Sequence, residues 1–171
     1  MSSTPFQVLF LCTGNSARSI LAESLLNHLG QPRYAAFSAG SQPKTAPNPL
    51  ALATLASHGH NTKPLRSKSW NEFGAADAPT MDIVITVCGN AAVESCPAWP
   101  GSPLKAHWGF EDPSDVDGDS NEQRAAFETT YHLIKQRIQH FLTLPIEQMS
   151  RAELQQALNL LGRANLTSAI S

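Results

Sequence analysis

The segment Val8-Leu9-Phe10-Leu11-Cys12-Thr13-Gly14-Asn15-Ser16-Ala17-Arg18-Ser19 decides the fold. Phe6 to Leu11 is a short unbroken apolar run, the pattern of a strand buried on both faces, and a thiol stands where that run gives way to small polar residues. Beyond it Leu21, Leu25 and Leu29 recur at helical spacing and Gly30 supplies a stop. The unit reads strand, loop, helix.

The same alternation continues outward. Tyr34 to Ser38 reads as a second short strand ending at Ala39-Gly40, and the residues from Pro49 to Gly59 as a helix. Met81 to Cys88 is a third buried strand, and Lys105 to Phe110 a weaker fourth after a proline-rich loop. Phe127, Tyr131, Ile134, Ile138 and Phe141 form the apolar stripe of a long helix, with Ser120 and Gln123 placed as a capping box and Pro145 as its end. Ser150 and Glu153 cap a last helix carrying Leu154, Leu158 and Leu161, after which no pattern remains. Strands alternating with helices predict an α/β fold with a parallel sheet and helices on both faces.

A chain of 171 residues fits one domain, and 42% hydrophobic with 15% charged residues is a globular composition. A formal charge of −2 gives no electrostatic case for nucleic acid. No apolar run is long enough to span a bilayer and the first residues lack a basic signal region, so the expectation is a cytoplasmic protein with no membrane partner. In that reducing compartment three cysteines point to catalytic or transient sulfur chemistry. The spacing Cys88-x7-Cys96, with no paired histidines beside it, is not that of a zinc site, so no metal ligands are expected.

In a parallel sheet the loops at the carboxyl ends of the strands form the ligand crevice, and the first of these begins at Cys12. If the residues from Thr13 through Gly14, Asn15, Ser16 and Ala17 to Arg18 wrap around a point and open a helix, their N–H groups and the helix dipole make an anion cradle. Arg18 closes it with a planar fork that suits a tetrahedral oxyanion. The same field, helped by the Ser19 hydroxyl, is expected to lower the Cys12 pKa. Cys88, at the end of the third strand, is expected at the same edge of the sheet, with Cys96 across a loop from it. Asp112-Pro113 reads either as a turn or as a general acid, and Glu111 and Asp115 stand close enough to compete for the acid role. His107 and Trp108 read as packing or as site lining, and Trp99 as a docking contact.

These residues resemble the low-molecular-weight protein tyrosine phosphatase superfamily, and Cys12 to Ser19 is most similar to its arsenate reductase branch. The resemblance covers Phe6 to Leu142. It implies a four-stranded parallel sheet flanked by helices, a catalytic domain over residues 1–144 and a helical extension over 145–171. It implies Cys12 as nucleophile, Arg18 as oxyanion ligand, Thr13 to Ser19 as the binding loop and Asp112 as acid. It further implies a relay in which Cys88 attacks Cys12 and Cys96 attacks Cys88, though the spacing between the last two is one residue longer than in the relatives. Arsenate is the implied substrate and thioredoxin the implied reductant, with glutathione and glutaredoxin the alternative, and no tightly bound cofactor. A phosphotyrosine phosphatase and a non-enzymatic oxyanion sensor are the rival readings. Some relatives hold potassium through residues that correspond to Asn15, Glu23 and Ser38; here Lys68 falls near a further ligand position, and its ammonium is expected to pair with Glu23 in place of the ion.

Overall fold

Six residues from Phe6 to Leu11 form strand β1 at the heart of a four-stranded sheet, with Val8, Leu9, Phe10 and Leu11 all buried. The computed structural model describes residues 5–88, 99 and 101–163. After β1 come helix α1 (Arg18–Gly30), strand β2 (Tyr34–Ala39), helix α2 (Pro49–Ser57), the short helix α3 (Asn71–Gly74) and strand β3 (Ile83–Thr86). Strand β4 (Leu104–His107), helix α4 (Ser120–Leu142) and helix α5 (Arg151–Arg163) complete the order. The sheet runs β2-β1-β3-β4 with every pairing parallel, as the α/β reading expects.

Alternation along β1 divides the core. Val8 and Phe10 face the larger cluster, where α1 supplies Ile20, Leu21 and Leu25, α2 supplies Leu55, and α4 supplies Phe127, Tyr131, Ile134, Ile138 and Phe141. Leu9 and Leu11 face a smaller cluster of Ala39, Phe73, Met81, Val84 and Trp99. Both faces are covered, and among the described residues the four-residue α3 is the helix that serves the second face, through Phe73.

Local chemistry sets the ends of the elements. Asn48 caps α2 by accepting from the Leu50 N–H at 2.8 Å, with Pro49 at the first helical position. The capping box of α4 is Asp119 with Glu122, one residue before the expected Ser120 and Gln123. Both pairs fit the pattern, and the carboxylate of Asp119 takes the cap. Strand β4 stops at His107, short of the expected Phe110.

The last helix lies along β4, the edge strand. Ser150 and Glu153 form the expected reciprocal cap. Gln155 donates to the Lys105 carbonyl at 2.8 Å and Trp108 Nε1 to the Leu158 carbonyl at 3.1 Å. Ile146, Leu154 and Leu158 join the larger core cluster, so Ile146 and α5 pack with the 1–144 segment and cover an edge that would otherwise invite pairing. Among the described residues no helix is long and apolar enough to cross a membrane.

Candidate active site

The strand order brings two thiols to one crevice. From β1 the chain crosses to β2 on one side, while β3 lies on the other, so the carboxyl ends of β1 and β3 flank a topological switch point. Leu11 pairs with Thr86, and the Val87 N–H donates to the Leu11 carbonyl at 2.9 Å. Cys12 and Cys88 therefore leave the sheet side by side, and both are buried. The Thr13 N–H reaches Cys88 Sγ at 3.3 Å.

Between Cys12 and α1 the loop is held from outside. The carbonyls of Thr13 and Gly14 accept from the Gln42 and Lys44 N–H groups, both at 2.9 Å, and that of Ser16 from the Asn48 N–H at 2.8 Å. The Asn15 carbonyl accepts from Ser67 Oγ at 2.6 Å. Because a planar peptide points its N–H opposite its C=O, turning four successive carbonyls outward turns the adjoining N–H groups inward. Ala17, at the N-cap of α1, offers no side-chain acceptor and the first turn holds no acid, so the helix start adds uncapped donors and positive potential.

Asn15 pins this turn. It takes the left-handed conformation, φ 46°, which its short polar side chain tolerates. Fully buried, its amide donates to Ser19 Oγ at 2.8 Å and Ser38 Oγ at 2.9 Å, while Oδ1 accepts from the Lys68 N–H at 2.9 Å. Gly40 lets the loop after β2 approach, since a Cβ there would fall on the carbonyl oxygens of Cys12 and Thr13.

Cys12, Thr13, Gly14, Asn15, Ser16, Ala17 and Arg18 line the resulting cavity with Gln42, Lys44, Cys88 and Asp112. Ser19 stands behind the cradle rather than in it, buried and bonded to Asn15. Arg18 donates to the Phe110 carbonyl at 2.9 Å and meets Asp112 at 3.2 Å, while its buried Nε has no hydrogen-bond partner among the described residues. Asp112 builds the turn, its Oδ1 accepting from the Ser114 N–H at 3.0 Å, and its Oδ2 faces Arg18 at the cavity. Glu111 and Asp115 do not line it. Cys96 lies outside the described residues.

Two expectations are corrected. The hydrogen bond with Cys88, followed by burial, pushes the Cys12 thiol up from its ordinary value, and the pull of Arg18 and of the Thr13 N–H does not offset them. Trp99 is buried edge-on against Trp70, centroids 6.4 Å apart, and is not an exposed docking contact. Trp108 packs in the core against Phe10 and Phe141, and the His107 ring meets Thr86 Oγ1 at 2.8 Å. Gln42 and Lys44 are the site residues that sequence reasoning missed. Gln42 lies in the Ser38 to Pro43 stretch after the second strand, which reads as support for the cradle, and Lys44 lies one residue past it.

Lys68 is buried, its ammonium 3.8 Å from Glu23 Oε1 and 2.8 Å from the Arg66 carbonyl, and Ser38 Oγ donates to the same Glu23 oxygen. Burial pushes Glu23 up against the pull of Lys68 and Ser38, and pushes Lys68 down against the pull of Glu23. The pair, Ser38 and Asn15 form one polar network beneath the cradle.

Known proteins are similar to this chain in sequence and fold. The chain is 34% identical over 134 residues to the arsenate reductase of Halalkalibacterium halodurans, a match covering 78% of this chain and 93% of that protein. A solved arsenate reductase in the phosphate binding state superposes with a TM-score of 0.64 at 27% identity, over 80% of this chain and 96% of that one. The thioredoxin-dependent arsenate reductase of Corynebacterium glutamicum gives 0.53 at 26% identity, over 82% of this chain and 65% of that one. Residues 7–157 match the model of the low molecular weight phosphotyrosine protein phosphatases, which reaches into α5. A cysteine-bearing loop at the switch point of a four-stranded parallel sheet, and that match over most of its length, place the chain in the low molecular weight phosphotyrosine protein phosphatase family.

Proposed function

We propose that this chain reduces arsenate to arsenite through a cysteine relay, with thioredoxin as the reductant. The observation that carries the reading is Cys88, whose sulfur shares one cavity with Cys12 and accepts from the Thr13 N–H. Hydrolysis of a phosphate ester needs one thiol and water, whereas reducing arsenic(V) to arsenic(III) needs two electrons, which two thiols supply by becoming a disulfide.

The sequence of steps balances. Cys12 as thiolate attacks arsenic while the cradle N–H groups and Arg18 hold the oxyanion, and Asp112 gives a proton to a departing hydroxyl, which leaves as water. Cys88 as thiolate then attacks the Cys12 sulfur. The sulfur–arsenic bond breaks with its electron pair on arsenic, which departs as arsenite, and a Cys12–Cys88 disulfide remains. Cys96 attacks Cys88 and frees Cys12, and a thioredoxin dithiol reduces the Cys88–Cys96 disulfide. The relatives named as arsenate reductases, one of them thioredoxin-dependent, support this choice over the phosphatase reading.

The test is arsenate-dependent NADPH oxidation with thioredoxin and its reductase, in the parent, Cys88→Ser and Cys96→Ser. Loss of turnover in both variants is expected. Loss in Cys88→Ser alone, with turnover restored by glutathione and glutaredoxin, moves the electron source to an external thiol. Aryl phosphate hydrolysis without arsenate turnover overturns the proposal in favour of a phosphatase.

A further inference from the structure

Away from the cradle, at the other end of α2, His58 caps the helix and faces Glu128 and His132, which stand one turn apart on α4. Glu128 Oε2 lies 2.7 Å from His58 Nε2 and 2.7 Å from His132 Nε2, and the three atoms all fall within 4.8 Å of one another. Two imidazoles thus direct the same nitrogen at one carboxylate oxygen. Removing a proton from each and placing a divalent cation between them satisfies the same three atoms.

The aim of these groups is set by their neighbours. The His58 ring lies flat on Tyr131, centroids 4.1 Å apart and planes 10° apart. Tyr131 Oη is held in turn 2.9 Å from His60 Nε2, whose Nδ1 sits 2.8 Å from Ser24 Oγ. Glu128 and His132 are fixed by the four-residue step along α4, which puts both on one face. His58 and Glu128 are partly buried and His132 is exposed, so the ligand set is closed on the protein side and open to water on the other.

We propose that His58, Glu128 and His132 bind a divalent transition metal of the zinc type through two imidazole nitrogens and one carboxylate oxygen, clamping the end of α2 to α4 with a fourth position left to water. Nitrogen donors favour such ions over magnesium and calcium, which prefer all-oxygen sets. Helix α2, nine residues or about 14 Å of rise, separates this site from the cradle, which its other end contacts through Asn48 and Ser16. The clamp is structural, and it is independent of the reaction assigned to the cradle.

The three thiols are competing zinc ligands, so the decisive titration uses the full chain as Cys12→Ser/Cys88→Ser/Cys96→Ser, with and without His132→Ala. Calorimetry with Zn²⁺ is expected to give one equivalent bound, at least tenfold more weakly once His132 is replaced. Excess Zn²⁺ is expected to raise the melting midpoint by about 5 °C in the parent ligand set and not in the His132→Ala variant, as binding to the folded state alone requires. His132 is exposed, so its replacement leaves the core intact. Co²⁺ in the same site is expected to show visible ligand-field bands without thiolate charge transfer. No Zn²⁺ bound once the thiols are gone, equal affinity in the His132→Ala variant, or an equal response to Mg²⁺ overturns the proposal.

Discussion

Replacing Lys68 by Met tests whether its ammonium is the counter-ion of Glu23. At 3.8 Å and an effective dielectric constant of about 20 their attraction is about 4 kcal/mol. Met removes that attraction but also the cost of burying an ammonium, so the net loss is smaller. Glu23 sets the ceiling, because it can take up a proton instead: from an ordinary value of about 4.3 this costs about 4 kcal/mol at pH 7.5 and about 1 kcal/mol at pH 5. The sign follows from protons bound. With Lys68 gone only Ser38 and the charge of Arg66 oppose burial, so folded Glu23 titrates higher still than in the parent, the native state holds more protons than the unfolded one above the usual carboxylate range, and stability falls as pH rises there. The expected result of urea unfolding is a loss of about 2 to 3 kcal/mol for Lys68→Met near pH 7.5, shrinking to about 1 kcal/mol near pH 5. Adding Glu23→Gln is expected to recover most of the loss at the higher pH, since no unpaired charge remains. A loss that does not change with pH, or a double variant no better than the single one, refutes the counter-ion reasoning and leaves Lys68 as a packing residue.

Two other substitutions probe the cradle. Cys88→Ala removes the largest cause of the raised Cys12 thiol, so the midpoint of thiolate formation at Cys12, followed by ultraviolet absorbance or by alkylation rate against pH, is expected to move down; an unchanged midpoint means that burial alone sets it. Gly40→Ala drives a methyl into the carbonyls of Cys12 and Thr13, so the loop must shift; a stability loss of about 1 to 3 kcal/mol is expected with at least tenfold weaker oxyanion binding by calorimetry, and wild-type affinity would show that the loop after β2 does not shape the cradle.

How much of this was legible in the sequence depends on how far apart the interacting residues lie. The β1 run, the helix after it and the Cys12 to Arg18 loop are local, and their pattern names strand, turn and anion site within one window. Cys88 was placed by topology rather than by pattern, because parallel strands carry their carboxyl ends to one side. Gln42 and Lys44 escaped because they join the cradle through their backbone N–H groups, which carry no mark of residue type. The α4 cap slipped by one position because Asp119 with Glu122 and Ser120 with Gln123 satisfy the same rule, and local pattern does not rank them. The cluster of His58, Glu128 and His132 was hidden for a similar reason: its helical half is visible at the four-residue spacing, but His58 arrives from α2, seventy residues earlier.

The wrong direction for Cys12 is the most informative of these differences, because its cause is the same neighbour that carries the functional reading. Arg18 and the Thr13 N–H favour a thiolate in the cavity, while burial and the second sulfur favour a thiol. One proton held between two sulfurs satisfies both demands, and such a pair ionises in two steps that belong to neither residue alone. On the relay reading this arrangement also orders the chemistry. When the Cys12 sulfur bonds to arsenic it no longer takes part in that shared proton. The Thr13 N–H, 3.3 Å from Cys88 Sγ, remains as a donor to that charge. The contact that raises the Cys12 thiol is thus the one that sets Cys88 Sγ beside the sulfur it must attack, with the Thr13 N–H as a donor to it.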